Sequence, residues 1–148
     1  MPKVVNFGGK HRTMAMFSKL GKYSNFALLA MRAGVGFMMI MHGYPKMLGG
    51  PERWGKLGES MANFGITYAP EFWGFMAAFA ETIGGVLLIL GYFTRPAALL
   101  LLLTMVVAAT KHLMSEDGLM KASHSIELAF VFLGLFILGA GRYSIDKD

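Results

Sequence analysis

Four apolar blocks, each long enough to cross a bilayer as a helix, leave this chain few ways to fold. The first runs over about residues 25–42, the second over 70–90, the third over 94–112 and the fourth over 123–139. Eighteen residues make ~27 Å of helix, close to the ~30 Å thickness of a hydrocarbon core. Charged residues are 16% of the 148, and most lie between the blocks. Inside lipid every amide and carbonyl must find a partner within the chain, which favours helices. The expected fold class is all-α, an integral membrane four-helix bundle.

Local signals set the boundaries. Ser24 is the expected cap of the first helix, and Pro45 is expected to end it shortly after His42. Pro70 opens the second and Gly91 closes it. Thr94 caps the third, with Pro96 in its first turn, and the fourth covers Ser123 to Gly139. Between the first two spans, Trp54, Leu57, Met61 and Phe64 recur at helical spacing, which predicts a short amphipathic helix in the first outer loop. A loop anchored by aromatic side chains is the alternative there.

Residues 1–24 form a basic N-terminal tail, 25–141 the transmembrane domain and 142–148 a short C-terminal tail. Met14, Met16, Phe17 and Leu20 are expected to lie on the lipid surface as an amphipathic turn. The first block follows a long basic lead and lacks a small-residue cleavage pattern, so it reads as an uncleaved span.

With both termini cytoplasmic, the inner side carries Lys3, Lys10, Arg12, Lys19, Lys22, Arg95, Arg142 and Lys147. The outer side carries Lys46, Arg53, Lys56, Lys111 and Lys121, so the bias favours this orientation. The net charge of +5 is thus a topology signal, and no nucleic-acid partner is expected. The absence of cysteine excludes thiol–disulfide chemistry and thiolate-held metals or clusters.

Ionisable side chains within the spans each call for an explanation, because lipid penalises them. They are Arg32, Glu81 and Glu127, with His42, His112 and His124 at span ends. Helical rise puts Arg32 ~10 Å above the inner end and Glu81 ~16 Å below the outer end. An Arg32–Glu81 ion pair is therefore expected. Gly74, Ala78, Glu81 and Gly85 form one stripe, and Arg32, Gly36, Met39 and Gly43 another. Ala98, Leu101, Met105, Ala108 and His112 form a third, and His124, Glu127, Val131 and Gly134 a fourth. Small residues on these stripes suggest that the charged groups share the bundle interior. A purely structural ion pair and interfacial histidines are the bland readings of the same residues. Metal ligation by His42, His112, His124 and Glu127 is the weaker alternative, since the spacing is loose and methionine serves packing throughout the chain.

The same residues resemble the DoxX family of small bacterial membrane proteins. Arg32-x-x-x-Gly36 with His42–Gly43–Tyr44–Pro45–Lys46 matches its first-span pattern. Glu81–Thr82–Ile83–Gly84–Gly85 leads to Gly91–Tyr92–Phe93–Thr94–Arg95 in the second. His112, Glu127 and the closing Gly139–Ala140–Gly141–Arg142–Tyr143–Ser144–Ile145–Asp146 complete a similarity over roughly residues 27–146. The resemblance implies a multi-pass protein of the bacterial inner membrane, with some relatives linked to thiosulfate:quinone oxidoreductases or other membrane redox complexes.

The expected function is a redox-associated subunit binding a quinone-like or other small amphipathic ligand inside the bundle. Glu81 and Glu127 are the expected proton-transfer residues. Arg32, His42, Lys46, His112 and His124 are the expected ligand-binding residues. Electrons are expected from a soluble or membrane redox partner, and a homo-oligomer is in keeping with so few helices. A non-catalytic scaffold subunit and a small proton-coupled transporter are the alternatives.

Overall fold

In a computed structural model, which describes residues 18–146, a 3-10 segment Ser18–Tyr23 leads into five α-helices. These are α1 (Ser24–Met47), α2 (Gly50–Gly58), α3 (Pro70–Leu90), α4 (Thr94–Met114) and α5 (Gly118–Leu138). A second 3-10 segment, Glu59–Phe64, continues α2. Among the described residues, four helices are long and apolar enough to cross a membrane, namely α1, α3, α4 and α5. The all-helical four-span bundle expected from hydropathy is therefore the fold. Met14, Met16 and Phe17 of the expected surface turn lie outside the described residues, whereas Leu20 is exposed in the first 3-10 segment.

Several boundaries shift. Pro45 lies inside α1, which runs on to Met47. A proline so near a helix end removes only one intrahelical bond, that to the Met41 carbonyl. The last turn is then held from outside. Arg53 donates to the Pro45 carbonyl at 3.1 Å and Trp54 Nε1 to the Lys46 carbonyl at 3.0 Å. Neither expected cap forms. Tyr23 precedes α1 without a side-chain cap bond, and Phe93 precedes α4 with left-handed backbone, φ 48°. Helix α5 starts at Gly118 rather than Ser123, because Gly118 itself supplies the turn with φ +77°.

Helix α1 packs on α3, α3 on α4 and α4 on α5, while α2 lies across the start of α3. Helices α1 and α5 contribute to a shared apolar cluster around Met39, Leu101 and Phe132 but meet chiefly through side chains. Close approach of α1 and α3 depends on Gly36 and Gly85. A Cβ at Gly36 would lie 2.7 Å from the Gly85 carbonyl oxygen, and one at Gly85 2.6 Å from that of Gly36. Likewise a Cβ at Gly74 would overlap the Trp54 carbonyl of α2. Gly74→Ala is therefore expected to cost ~1–3 kcal/mol by overpacking. Gly34→Ala, where a Cβ meets nothing within 4 Å, should be neutral or stabilising by ~0.5–1 kcal/mol. Thermal melts of the two variants in one detergent check the contrast.

The first two expected stripes are buried, as is the third through Met105. The fourth is not. Helix α5 buries Ala122, Ser125, Phe132 and Leu135, which turns His124 and Glu127 outward. Apolar volume decided the rotation, because the bulky Phe132 and Leu135 are fully buried in the core.

Candidate functional site

The expected Arg32–Glu81 ion pair does not form; each residue has other partners at a different height. Side chains on a helix lean toward its N-terminus. Arg32 on α1 therefore leans toward the end of the bundle where the termini lie. There its guanidinium donates to the Leu88 carbonyl at 3.1 Å and to the Tyr143 carbonyl. Leu88 is seven residues beyond Glu81 on α3, ~10 Å along the axis. The negative end of the α3 dipole thus receives the buried cation.

Arg32 belongs to a clasp made by the C-terminal segment. Asp146 accepts from the amides of Phe93 at 3.0 Å and Thr94 at 2.9 Å, so it caps α4 from the far end of the chain. The Asp146 amide donates to the Gly91 carbonyl at 2.8 Å, and the Arg142 amide to Asn25 Oδ1 at 3.0 Å. The Thr94 and Phe93 amides, with the Arg32 charge nearby, hold the Asp146 carboxyl below the usual carboxylate range against the opposing effect of burial. Gly91 admits this arrangement, since a Cβ there would overlap Arg32 Nη1 and lie 2.6 Å from Ser144 Cβ. Residues 142–146 thus fold back onto the bundle, and Arg32 holds structure together.

Glu81 is paired at the opposite end. Lys46 Nζ donates to both Glu81 oxygens at 2.7 Å, with the Lys46 side chain 26% exposed and that of Glu81 4%. The lean of side chains explains the meeting. Lys46 in the last turn of α1 points back into the bundle, and Glu81 on the antiparallel α3 points up toward it. Gly43 makes room, for a Cβ there would lie 2.6 Å from Glu81 Cβ and from Thr82 Oγ1.

His42, one turn before Lys46 on α1, is exposed, and its ring centroid lies 6.0 Å from that of His124 on α5. The two imidazoles stand at the seam between α1 and α5. Glu127 follows one turn further along α5, also exposed.

His112 joins a separate network at the α4–α5 turn. Its Nδ1 lies 3.0 Å from Asp117, which also accepts from Ser115 at 3.0 Å and Lys121 at 2.6 Å. Hydrogen bonds from Lys121, His112 and Ser115 hold the Asp117 carboxyl well below the usual carboxylate range. Among the described residues no three histidine or carboxylate groups are placed to hold a metal.

Of the expected site residues, the structure brings together Lys46 with Glu81 and His42 with His124. It separates Arg32 and His112 from both. Sequence reasoning missed Asp117, Asp146 and Trp54 as partners. Asp117 carried a signal, being four residues before Lys121 on one helical face. Asp146 lay within a noted motif, but nothing local indicates that it caps a helix 52 residues earlier.

Two surface grooves lie away from the Lys46–Glu81 and His42–His124 pairs, the second bordered by Ser115 of the His112 network. One, of ≈ 320 Å³, is apolar and lies between α4 and α5, lined by residues including Val106, Ala109, Phe130 and Leu133. The other, of ≈ 230 Å³, lies between Lys56 and Lys111 near the end of α4.

Comparison with known proteins agrees with this architecture. The chain is 30% identical over 128 residues to the inner membrane protein YphA of Escherichia coli strain K12, covering 81% of this chain and 88% of that one. It is 31% identical over 140 residues to an uncharacterized protein of Haemophilus influenzae, covering 88% and 96%. No solved structure matches significantly. The inner-membrane setting of the first relative agrees with the localisation expected from the sequence. With the DoxX family model matching residues 27–113, across the three helices that carry Arg32, Lys46, Glu81 and Thr94, the chain belongs to the DoxX family.

Proposed function

We propose that this chain is a membrane subunit of a redox system and binds a quinone-like amphipathic ligand at the seam between α1 and α5, over the Lys46–Glu81 pair. The observation that carries the reading is a nearly buried carboxylate, held by a lysine that remains a quarter exposed, beside two exposed imidazoles. That arrangement offers donors at one point of an apolar surface, which suits a ligand with an apolar body and polar head.

Lysine has three donor positions, and two face Glu81, so one N–H remains for an acceptor. A quinone carbonyl oxygen is such an acceptor. Reduction of a quinone to a quinol takes two electrons and two protons. His42 and His124, whose ring N–H groups are donors beside the proposed seat, can deliver protons at the carbonyl oxygens. Glu81 fixes the Lys46 charge. A partner oxidoreductase supplies the electrons. With the termini cytoplasmic, the site opens toward the outer side of the membrane.

The test is titration of the purified protein with a short-chain ubiquinone. His42→Ala should weaken binding about tenfold, ~1.4 kcal/mol, without changing the melting temperature, because His42 is exposed. Unchanged binding in His42→Ala, or no saturable binding by the parent, contradicts the reading.

A further inference from the structure

The outward face of α5 poses a problem that lipid does not solve. Glu127 is exposed, and none of the ion pairs among the described residues includes it. It lies six residues beyond Lys121, ~9 Å deeper along the helix. The next turn carries Phe130, 70% exposed, so acyl chains reach this level. A carboxylate facing hydrocarbon is costly, and ionisable groups within spans normally face protein or a water-filled cavity.

The exposed face of α4 shows the contrast. Leu99, Leu103 and Val106 lie on it, and lipid alone satisfies them.

We propose that a second copy of this chain covers the α5 face, setting Glu127 of each copy against His124 and His42 of the other. A two-fold interface uses the same patch on both copies, so the patch must complement itself. This one does, because it carries an acid and two bases. Side chains on α5 all lean toward its N-terminus, and the extended Glu127 side chain can span much of the three-residue, ~4.5 Å rise to the level of His124. A two-fold axis along the bilayer normal preserves height, so Glu127 of one copy and His124 of the other face each other across the interface about one turn apart, within reach of the two side chains.

Gly134 adds a second observation on the same face. It lies seven residues after Glu127, two turns further along, and a Cβ there would meet nothing within 4 Å. Bare backbone of this kind is where membrane helices approach each other closely. The inference stands without the ligand reading, although it sets the second copy beside the same seam.

The absence of cysteine makes the test direct. Phe130→Cys and Leu138→Cys place thiols on the proposed interface, and Leu103→Cys places one on α4, at positions 70%, 60% and 55% exposed. Oxidation in native membranes should give cross-linked dimers at least tenfold more abundant from the α5 positions than from Leu103→Cys. Adding Glu127→Leu to the Phe130→Cys chain should reduce the dimer at least tenfold. Equal cross-linking at Leu103→Cys, a dimer band unchanged by Glu127→Leu, or cross-links only to a different protein would overturn the proposal. Quinone titration does not read this signal, so either idea can fail alone.

Discussion

Lys46→Met is expected to destabilise the protein by ~3–5 kcal/mol, toward the lower end because Lys46 is partly exposed. The substitution leaves the Glu81 carboxylate almost fully buried with no cation. The folded state then keeps an unpaired charge or takes up a proton, and either costs stability. Lys46→Met combined with Glu81→Met removes both charges and should regain most of the loss, since apolar replacements of buried pairs are often neutral. Denaturant unfolding in a fixed detergent measures the singles and the double. A coupling near zero would show that the two residues do not interact.

Arg32→Met is expected to cost a comparable ~3–5 kcal/mol for a different reason. It removes the donor to two carbonyls, those of Leu88 and Tyr143, and a buried polar group left without a partner costs ~1–3 kcal/mol. It also removes the cation near Asp146 and so loosens the C-terminal clasp. Limited proteolysis should then cut within residues 139–146 faster than in the parent. The cycle between Arg32→Met and Glu81→Gln distinguishes the two polar centres. Independent sites should add to within ~0.3–0.5 kcal/mol, whereas a direct Arg32–Glu81 pair would couple them strongly.

The two centres divide the motifs of the family between them. Arg32, Gly91, Thr94 and the closing run to Asp146 meet at the terminal end and build structure. Gly43, Lys46 and Glu81 meet at the other end, with His42 one turn earlier on α1.

Hydropathy was sufficient to read the bundle, because block length, Pro70, Gly91 and Gly139 are local signals of where spans start and stop. The inward faces of α1 and α3 were also legible, since Gly36, Gly43, Gly74 and Gly85 repeat on them at helical spacing. Pairing was not. Axial rise alone put Arg32 and Glu81 at similar heights, but both ends of a pair lean, and on antiparallel helices they lean oppositely. That lean favours Lys46 for Glu81 and the α3 carbonyls for Arg32. Helix α5 misled for another reason. Small residues on the stripe of His124 and Glu127 predict an inward face, yet Phe132 and Leu135 occupy the core. The clasp was beyond local reading, as it joins residues 111 apart in the chain.

Photolabelling with a short-chain azidoquinone, followed by mapping of the modified residues, tests the proposed site most directly. Adducts should concentrate on His42, Lys46 and His124, and excess ubiquinone should suppress them. Labelling confined to the apolar groove between Val106 and Phe130, or labelling that ubiquinone does not displace, would contradict a ligand seat at the α1–α5 seam.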